Sequence, residues 1–245
     1  MVGDNSVGLK DITLVRGRNT VFRGLTLELN EPRIGLIGDN GAGKSSLFRL
    51  LCGLDMPSSG CVSVHGQDFG GSKHPQRAVG MMFQNPDEQI IFPTVEEELA
   101  LGLEVAGLTR RLARERARAW LQARGLGPWA ERAITSLSQG QRQHVCWLAL
   151  IISAPRLLLL DEPFASLDLP GQALLDQEIQ QASQQIIVST HLLDHVRRFD
   201  RVIWLADGRI RADGLGSEIC AAYEADIARR VAAHALRIDA ADQVD

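Results

Sequence analysis

The chain has 245 residues, 45% of them hydrophobic and 23% charged, which is enough to bury the core of one domain. Its net charge of −4 argues against nucleic acid as the main partner, because counterion release needs a concentrated basic surface. The four cysteines (Cys52, Cys61, Cys146, Cys220) are too dispersed for a zinc site or a disulfide framework and fit free thiols in a reducing compartment.

In chain order, the opening MVGDNSVGLK has neither a basic region nor an apolar stretch, so no secretory signal is expected. Strands are predicted at Leu9–Val15 and Leu25–Leu29 around the polar turn Arg16–Asn19, and a short buried strand at Arg33–Ile37. A helix over Lys44–Cys52 carries Leu47, Leu50 and Leu51 on one face and stops near Gly53. Strands follow at Cys61–His65 and Ala78–Phe83. From about residue 85 to 152 strand signals cease and a helical insertion is predicted. Its first helix starts at a capping box, Thr94 as N-cap with Glu97 reaching back, and runs to Val105. A second helix spans Thr109–Arg124, rich in arginine (Arg110, Arg111, Arg114, Arg116, Arg118) but wrapped on all sides, as a solvated surface would be. A third runs from Ser138 to Ser153. Near-continuous apolar runs at Arg156–Leu160, Ile186–Thr190 and Arg201–Leu205 read as parallel strands buried on both faces, the first two each followed by a helix. Asp207-Gly208 makes a hairpin turn into Arg209–Ala212. Ile219, Tyr223, Ile227 and Val231, four apart, predict a short amphipathic helix over about 217–236 that either caps the core, the favoured reading, or meets a partner. No apolar run approaches the roughly 20 residues that span a bilayer, so membrane work has to pass through a partner.

Between the third strand and the first helix lies Gly38-Asp39-Asn40-Gly41-Ala42-Gly43-Lys44-Ser45-Ser46, a match to G-x-x-x-x-G-K-[ST] in strand–loop–helix context. The glycines let backbone N–H groups converge on phosphate oxygens, and the helix start adds donors and a positive dipole end. Lys44 is expected on the β- and γ-phosphates and Ser45 on Mg²⁺, which makes ATP with Mg²⁺ the expected ligand. The four leucines Leu157–Leu160 lead into Asp161-Glu162, where Asp161 is expected on the metal side and Glu162 as the general base for the attacking water.

With Leu137-Ser138-Gln139-Gly140-Gln141 added ahead of that strand, the sequence resembles the ABC transporter ATPases from about Leu9 to Gly216. The resemblance implies an α/β fold with a P-loop NTPase (RecA-like) core, an antiparallel β subdomain and a helical subdomain insertion, in a single ATPase domain over 1–245. It makes Ser138, Gln139, Gly140 and Gln141 the signature that meets the γ-phosphate bound on a second subunit, although the family usually has glycine where Gln139 stands. It makes Gln84 the Q-loop residue on Mg²⁺ or the lytic water, Asp168 of Ser166-Leu167-Asp168 the D-loop residue at the dimer interface, and His191 the switch histidine on the γ-phosphate. The family's adenine-stacking aromatic falls at Arg16, whose guanidinium can also stack on a base.

The run Asn85-Pro86-Asp87-Glu88-Gln89-Ile90-Ile91-Phe92-Pro93-Thr94-Val95-Glu96-Glu97-Glu98 resembles the energy-coupling factor (ECF) subgroup, whose ATPases drive vitamin and transition-metal uptake. That likeness implies a homodimer or a heterodimer with a paralogous ATPase, a transmembrane coupling (T) subunit, a separate substrate-binding membrane subunit, and a peripheral position on the cytoplasmic face of the membrane. Basic coupling helices of the T subunit would find electrostatic partners in Asp87 and Glu88. The compact C-terminal part is more similar to the ATPases of biotin-specific systems than to those for cobalt or nickel. The alternative is a soluble ATPase of an assembly system, such as that for iron–sulfur clusters.

Overall fold

In the computed structural model residues 6–68 and 78–242 are described, with side chains as far as 233. β1 (Val7–Arg16) and β2 (Asn19–Leu29) form an antiparallel hairpin. The buried face of β1 changes phase at Asp11, whose φ of 52° accompanies a break in register: Val7 and Leu9 are buried before it, Ile12 and Leu14 after it. β4 (Ser59–Val64) pairs on the other side of β1 and carries β5 (Gln67–Asp68), completing a four-stranded antiparallel sheet in the order β2-β1-β4-β5.

The second sheet has six strands. β3 (Arg33–Ile37), β6 (Val79–Met82), β7 (Leu157–Asp161), β8 (Gln185–Ser189), β9 (Arg201–Ala206) and β10 (Arg209–Gly214) lie in the order β10-β9-β3-β8-β7-β6. All neighbours are parallel except β10, which returns from β9 by a hairpin with Asp207 at φ 49° and Gly208 at φ 68°. β7 shows why such strands read as unbroken apolar runs. Leu157 and Leu159 pack into the core shared with the antiparallel sheet, Leu158 and Leu160 into the core on the opposite face, and all four are fully buried. Each such leucine contributes about 1.5–3 kcal/mol relative to exposure.

α1 (Lys44–Leu51) follows β3 and inserts Leu47, Phe48, Leu50 and Leu51 into the core beneath the antiparallel sheet. The predicted helical stretch contains α2 (Val95–Val105), α3 (Arg110–Ala123) and α4 (Gln139–Ser153), with a single isolated bridge from Thr94 to Ala133 among its described residues. The arginines of α3 are largely met by acids: Arg110 and Arg114 by Glu97, Arg118 by Glu96 and Glu131, Arg111 by Glu115. α5 (Leu169–Gln181) covers the opposite face of the sheet through Leu175 and Ile179.

Three expectations need correction. The box at Thr94 is not reciprocal with the backbone: Thr94 Oγ1 donates to Glu97 Oε2 at 2.8 Å, and no side chain caps α2 from Thr94. Instead Glu98, 5% exposed, accepts the N–H groups of Ile91 and Phe92, both at 2.9 Å, and so ties down the approach to the helix. β8 is followed only by a 3-10 turn, Leu193–His195, and not by a full helix. The C-terminal helix α6 is not short; it spans Gly216–Asp242, 27 residues. Ile219 is buried, Tyr223 packs against the core, and Val231 is 63% exposed, so its apolar stripe meets the core only in the first half.

Candidate active site

The loop between β3 and α1 is shaped by two glycines. At Gly38, φ 143°, a Cβ would lie 2.1 Å from the Leu205 carbonyl oxygen. At Gly43, φ 109°, it would lie 2.8 Å from the Phe22 ring. No side chain caps α1, so its first N–H groups remain available to an anion at the positive end of the helix dipole. Lys44 is 8% exposed, and its ammonium donates to the carbonyls of Gly38 at 2.7 Å and Asp39 at 3.2 Å.

β7 and β8 run beside β3 in parallel, and their carboxyl ends supply the acids and the histidine. Asp161 ends β7 opposite Ser189, and both Asp161 and Glu162 are at most 9% exposed. Glu162 adopts a left-handed backbone, φ 48°, with its N–H on the Ser189 carbonyl at 2.8 Å. Such a conformation in a non-glycine residue costs about 1–3 kcal/mol and persists only where the surrounding structure enforces it. His191 Nδ1 lies 2.8 Å from Glu162 Oε2, and the His191 backbone N–H donates to the same oxygen at 3.3 Å. A carboxylate can only accept, so Nδ1 is the donor in this contact and Nε2 is left for a further partner.

These groups share one cleft of about 740 Å³, lined by every loop residue from Gly38 to Ser46 except Ala42, and by Gln84, Asp161, Glu162 and His191. It lies outside the carboxyl ends of parallel strands, where open α/β sheets bind their ligands. Arg16 does not line it. Its guanidinium pairs with Asp55, which Arg49 Nε also meets at 3.1 Å, and Phe22 is buried beneath Gly43. Val21 and Tyr223 line the cleft instead, and neither was singled out as a site residue from the sequence. Tyr223 reaches it from α6, where periodicity marks it only as part of an apolar stripe. Its being the sole tyrosine of the chain was the available signal.

Ser138, Gln139, Gly140 and Gln141 line a different cleft of about 630 Å³, together with Ser166, Leu167 and Asp168. Here a reciprocal capping box does form: Ser138 Oγ accepts from Gln141 N at 3.2 Å, and Gln141 Oε1 accepts from Ser138 N at 3.1 Å. Gln139, in place of glycine, donates from Nε2 to Ser166 Oγ at 3.0 Å and so joins this segment to the loop before α5. Asp168 is the N-cap of α5, accepting from Gly171 N at 3.0 Å.

The sheet order, the loop and the strand-end acids define a P-loop nucleoside triphosphatase. The chain belongs to the ABC transporter family, as an ATP-hydrolysing subunit of the energy-coupling factor type. The family model for ABC transporters matches residues 22–165. A biotin transport ATP-binding protein of Rhodobacter capsulatus is 44% identical over 219 residues, 89% of this chain and 94% of that protein. The energy-coupling factor transporter ATP-binding protein EcfA1 of Caldanaerobacter subterraneus subsp. tengcongensis is 34% identical over 81% of this chain and 75% of its own length. Among solved structures, cbiO1 from Clostridium perfringens, described as part of the ABC transporter complex cbiONQ, superposes with a TM-score of 0.76 at 25% identity, covering 95% of this chain and 96% of that one. These relatives favour the importer reading over assembly of iron–sulfur clusters.

Proposed function

We propose that the chain works as a head-to-tail dimer, with itself or with a paralogous ATPase, on the cytoplasmic face of the membrane, where it drives an ECF importer for biotin. The observation that carries the dimer is the separation of the two half-sites: the phosphate loop with Glu162 and the Ser138 cap lie in different clefts of one chain. A nucleotide in the first cleft gains the second set of donors only from another subunit. Closure then depends on the γ-phosphate and is released by hydrolysis. Lys44 and the α1 N–H groups hold the phosphates, while Glu162, fixed by His191, takes the proton of the attacking water. The hydroxyl of Ser45, the amide oxygen of Gln84 and the carboxylate of Asp161 are the hard-oxygen donors that suit Mg²⁺, which keeps few protein ligands beside phosphate and water. The ion would offset phosphate charge at that point.

Among the described residues no helix is long and apolar enough to cross a membrane; in this proposal that task falls to the T subunit and the substrate-binding membrane subunit. A groove of about 390 Å³ between β6, α2 and α4, lined by Met81, Gln89, Glu98, Leu101 and Val105, supports docking of a coupling helix from the T subunit. Asp87, on the 3-10 turn that ends at the groove residue Gln89, is 63% exposed and 3.0 Å from Arg142 Nε, so a basic coupling helix would share it with α4. Biotin is supported by the name of the Rhodobacter capsulatus relative and by a second biotin transport ATP-binding protein, from Rhizobium etli, 36% identical over 84% of this chain and 92% of that protein. The test is affinity purification of tagged Glu162→Gln protein from detergent-solubilised membranes of its own host. Co-purification of a T-type membrane protein and a small membrane protein that binds biotin is expected. Recovery of soluble assembly factors alone would overturn the proposal.

A further inference from the structure

Asp39 is the second residue of the phosphate loop and lines the nucleotide cleft, where a bare carboxylate opposes a polyanionic ligand. Two side chains of α6 meet it. The Tyr223 hydroxyl donates to Oδ1 at 2.7 Å, and Arg230 donates through Nη1 to Oδ2 at 2.5 Å and through Nη2 to Oδ1 at 3.1 Å. The two-pronged guanidinium contact fixes direction as well as charge. Both donors are themselves held. The Tyr223 ring stands edge-on to Trp204 with centroids 5.1 Å apart, and Arg230 Nε lies 3.0 Å from Asp226 Oδ2. Asp226 is 7% exposed and also takes Arg211 at 3.0 Å, whose guanidinium sits 4.7 Å above Trp204. Spacings of three and four put Tyr223, Asp226 and Arg230 on one face of α6. The Asp39 carboxyl is held below the usual carboxylate range, at a pKa of about 2, by Arg230 first and Tyr223 next.

We propose that Tyr223 and Arg230 are positioning residues for the phosphate loop: they neutralise Asp39 and hold its carboxylate on α6, so that ATP affinity depends on the C-terminal helix. The inference rests on ATP occupying the cleft at Lys44. An exposed pair such as Arg230 with Asp39 adds little to folding, which is why its effect is sought in ligand binding.

The test measures ATP affinity, KM and kcat of the full chain, with its membrane partners where turnover requires them. Arg230→Ala should weaken ATP binding and raise KM about 5–30-fold with kcat within about twofold, because the lost interaction bears equally on bound ATP and on its transition state. Arg230→Lys should recover most of the loss, and Tyr223→Phe, which deletes one hydroxyl, should raise KM about 2–5-fold. The decisive variant is Arg230→Ala with Asp39→Asn. With no charge left to neutralise, its affinity should return to within about threefold of the wild-type chain. A double variant as weak as Arg230→Ala, or an Arg230→Ala variant with unchanged affinity, would overturn the proposal. Unimpaired ATP binding by Lys44→Ala would instead overturn the nucleotide site on which it rests.

Discussion

Glu162 combines a left-handed backbone, near-complete burial and two contacts from His191 to one carboxylate oxygen. That arrangement fixes the group in place, so replacing it by glutamine removes basicity while keeping shape. Glu162→Gln should keep ATP affinity and lose about 10²–10⁴-fold in turnover, whereas Lys44→Ala should lose binding itself. Single-turnover hydrolysis beside equilibrium ATP binding separates the two, and a normal turnover rate in Glu162→Gln would refute the assigned base. Asp39 offers a second prediction, in pH. Its folded pKa of about 2 lies below the unfolded carboxylate value, through Arg230 and Tyr223. The contact therefore contributes stability that is present above about pH 4 and lost as pH falls toward about 2. Asp39→Asn should lower Tm by about 1–3 °C at pH 6, with the gap closing across that window, since solvent screening at this half-exposed site keeps the effect small. Thermal melts from pH 6 to 2 check it, and a gap that ignored pH would assign the loss to packing.

At the scale of elements, what the sequence announces depends on how local the signal is. β3 and β7 are readable because burial on both faces demands an unbroken apolar run, and the glycines of the phosphate loop because no other residue fits at Gly38 and Gly43. The start of α2 is misread because Thr94 and Glu97 have the spacing of a box but bond each other, while Glu98 serves backbone donors upstream. Glu98→Ala should accordingly cost about 1.5–3 kcal/mol by leaving two N–H groups unpaired, and Thr94→Ala less than about 0.5 kcal/mol, below a usual N-cap loss. Urea denaturation of both variants checks the order, and Thr94 as the costlier site would restore the capping-box reading. The length of α6 escapes the periodicity argument for a different reason. Its apolar stripe ends before Val231 meets any core, yet Ala221, Ala222, Ala225, Ala228, Ala232 and Ala233 favour helix without needing burial.

At the scale of the whole molecule, the site residues readable from sequence are those in contiguous motifs or, like Gln84 and His191, at single positions that the family resemblance marks, and those that escape are joined only by the fold. Arg16 falls where a base-stacking side chain is expected, yet it is drawn to Asp55, and Tyr223 and Arg230 arrive at Asp39 from the far end of the chain. The two clefts pose the remaining question, because in the proposed dimer each supplies half of what hydrolysis needs. In a symmetric head-to-tail pair every working site takes its phosphate loop from one subunit and its Ser138 cap from the other. Lys44→Ala disables the first part and Ser138→Arg the second, so each variant alone should be inactive. In a mixed dimer one site inherits both lesions and the other inherits neither. An equal mixture of the two variants should therefore regain roughly a quarter of wild-type ATPase activity, half the dimers being mixed and each carrying one intact site of two. Steady-state ATPase measured on the mixture, with cross-linking to show that mixed dimers form, decides it. Mixed dimers without activity would mean that the Ser138 cap does not act across the interface, and the two clefts would need a different account.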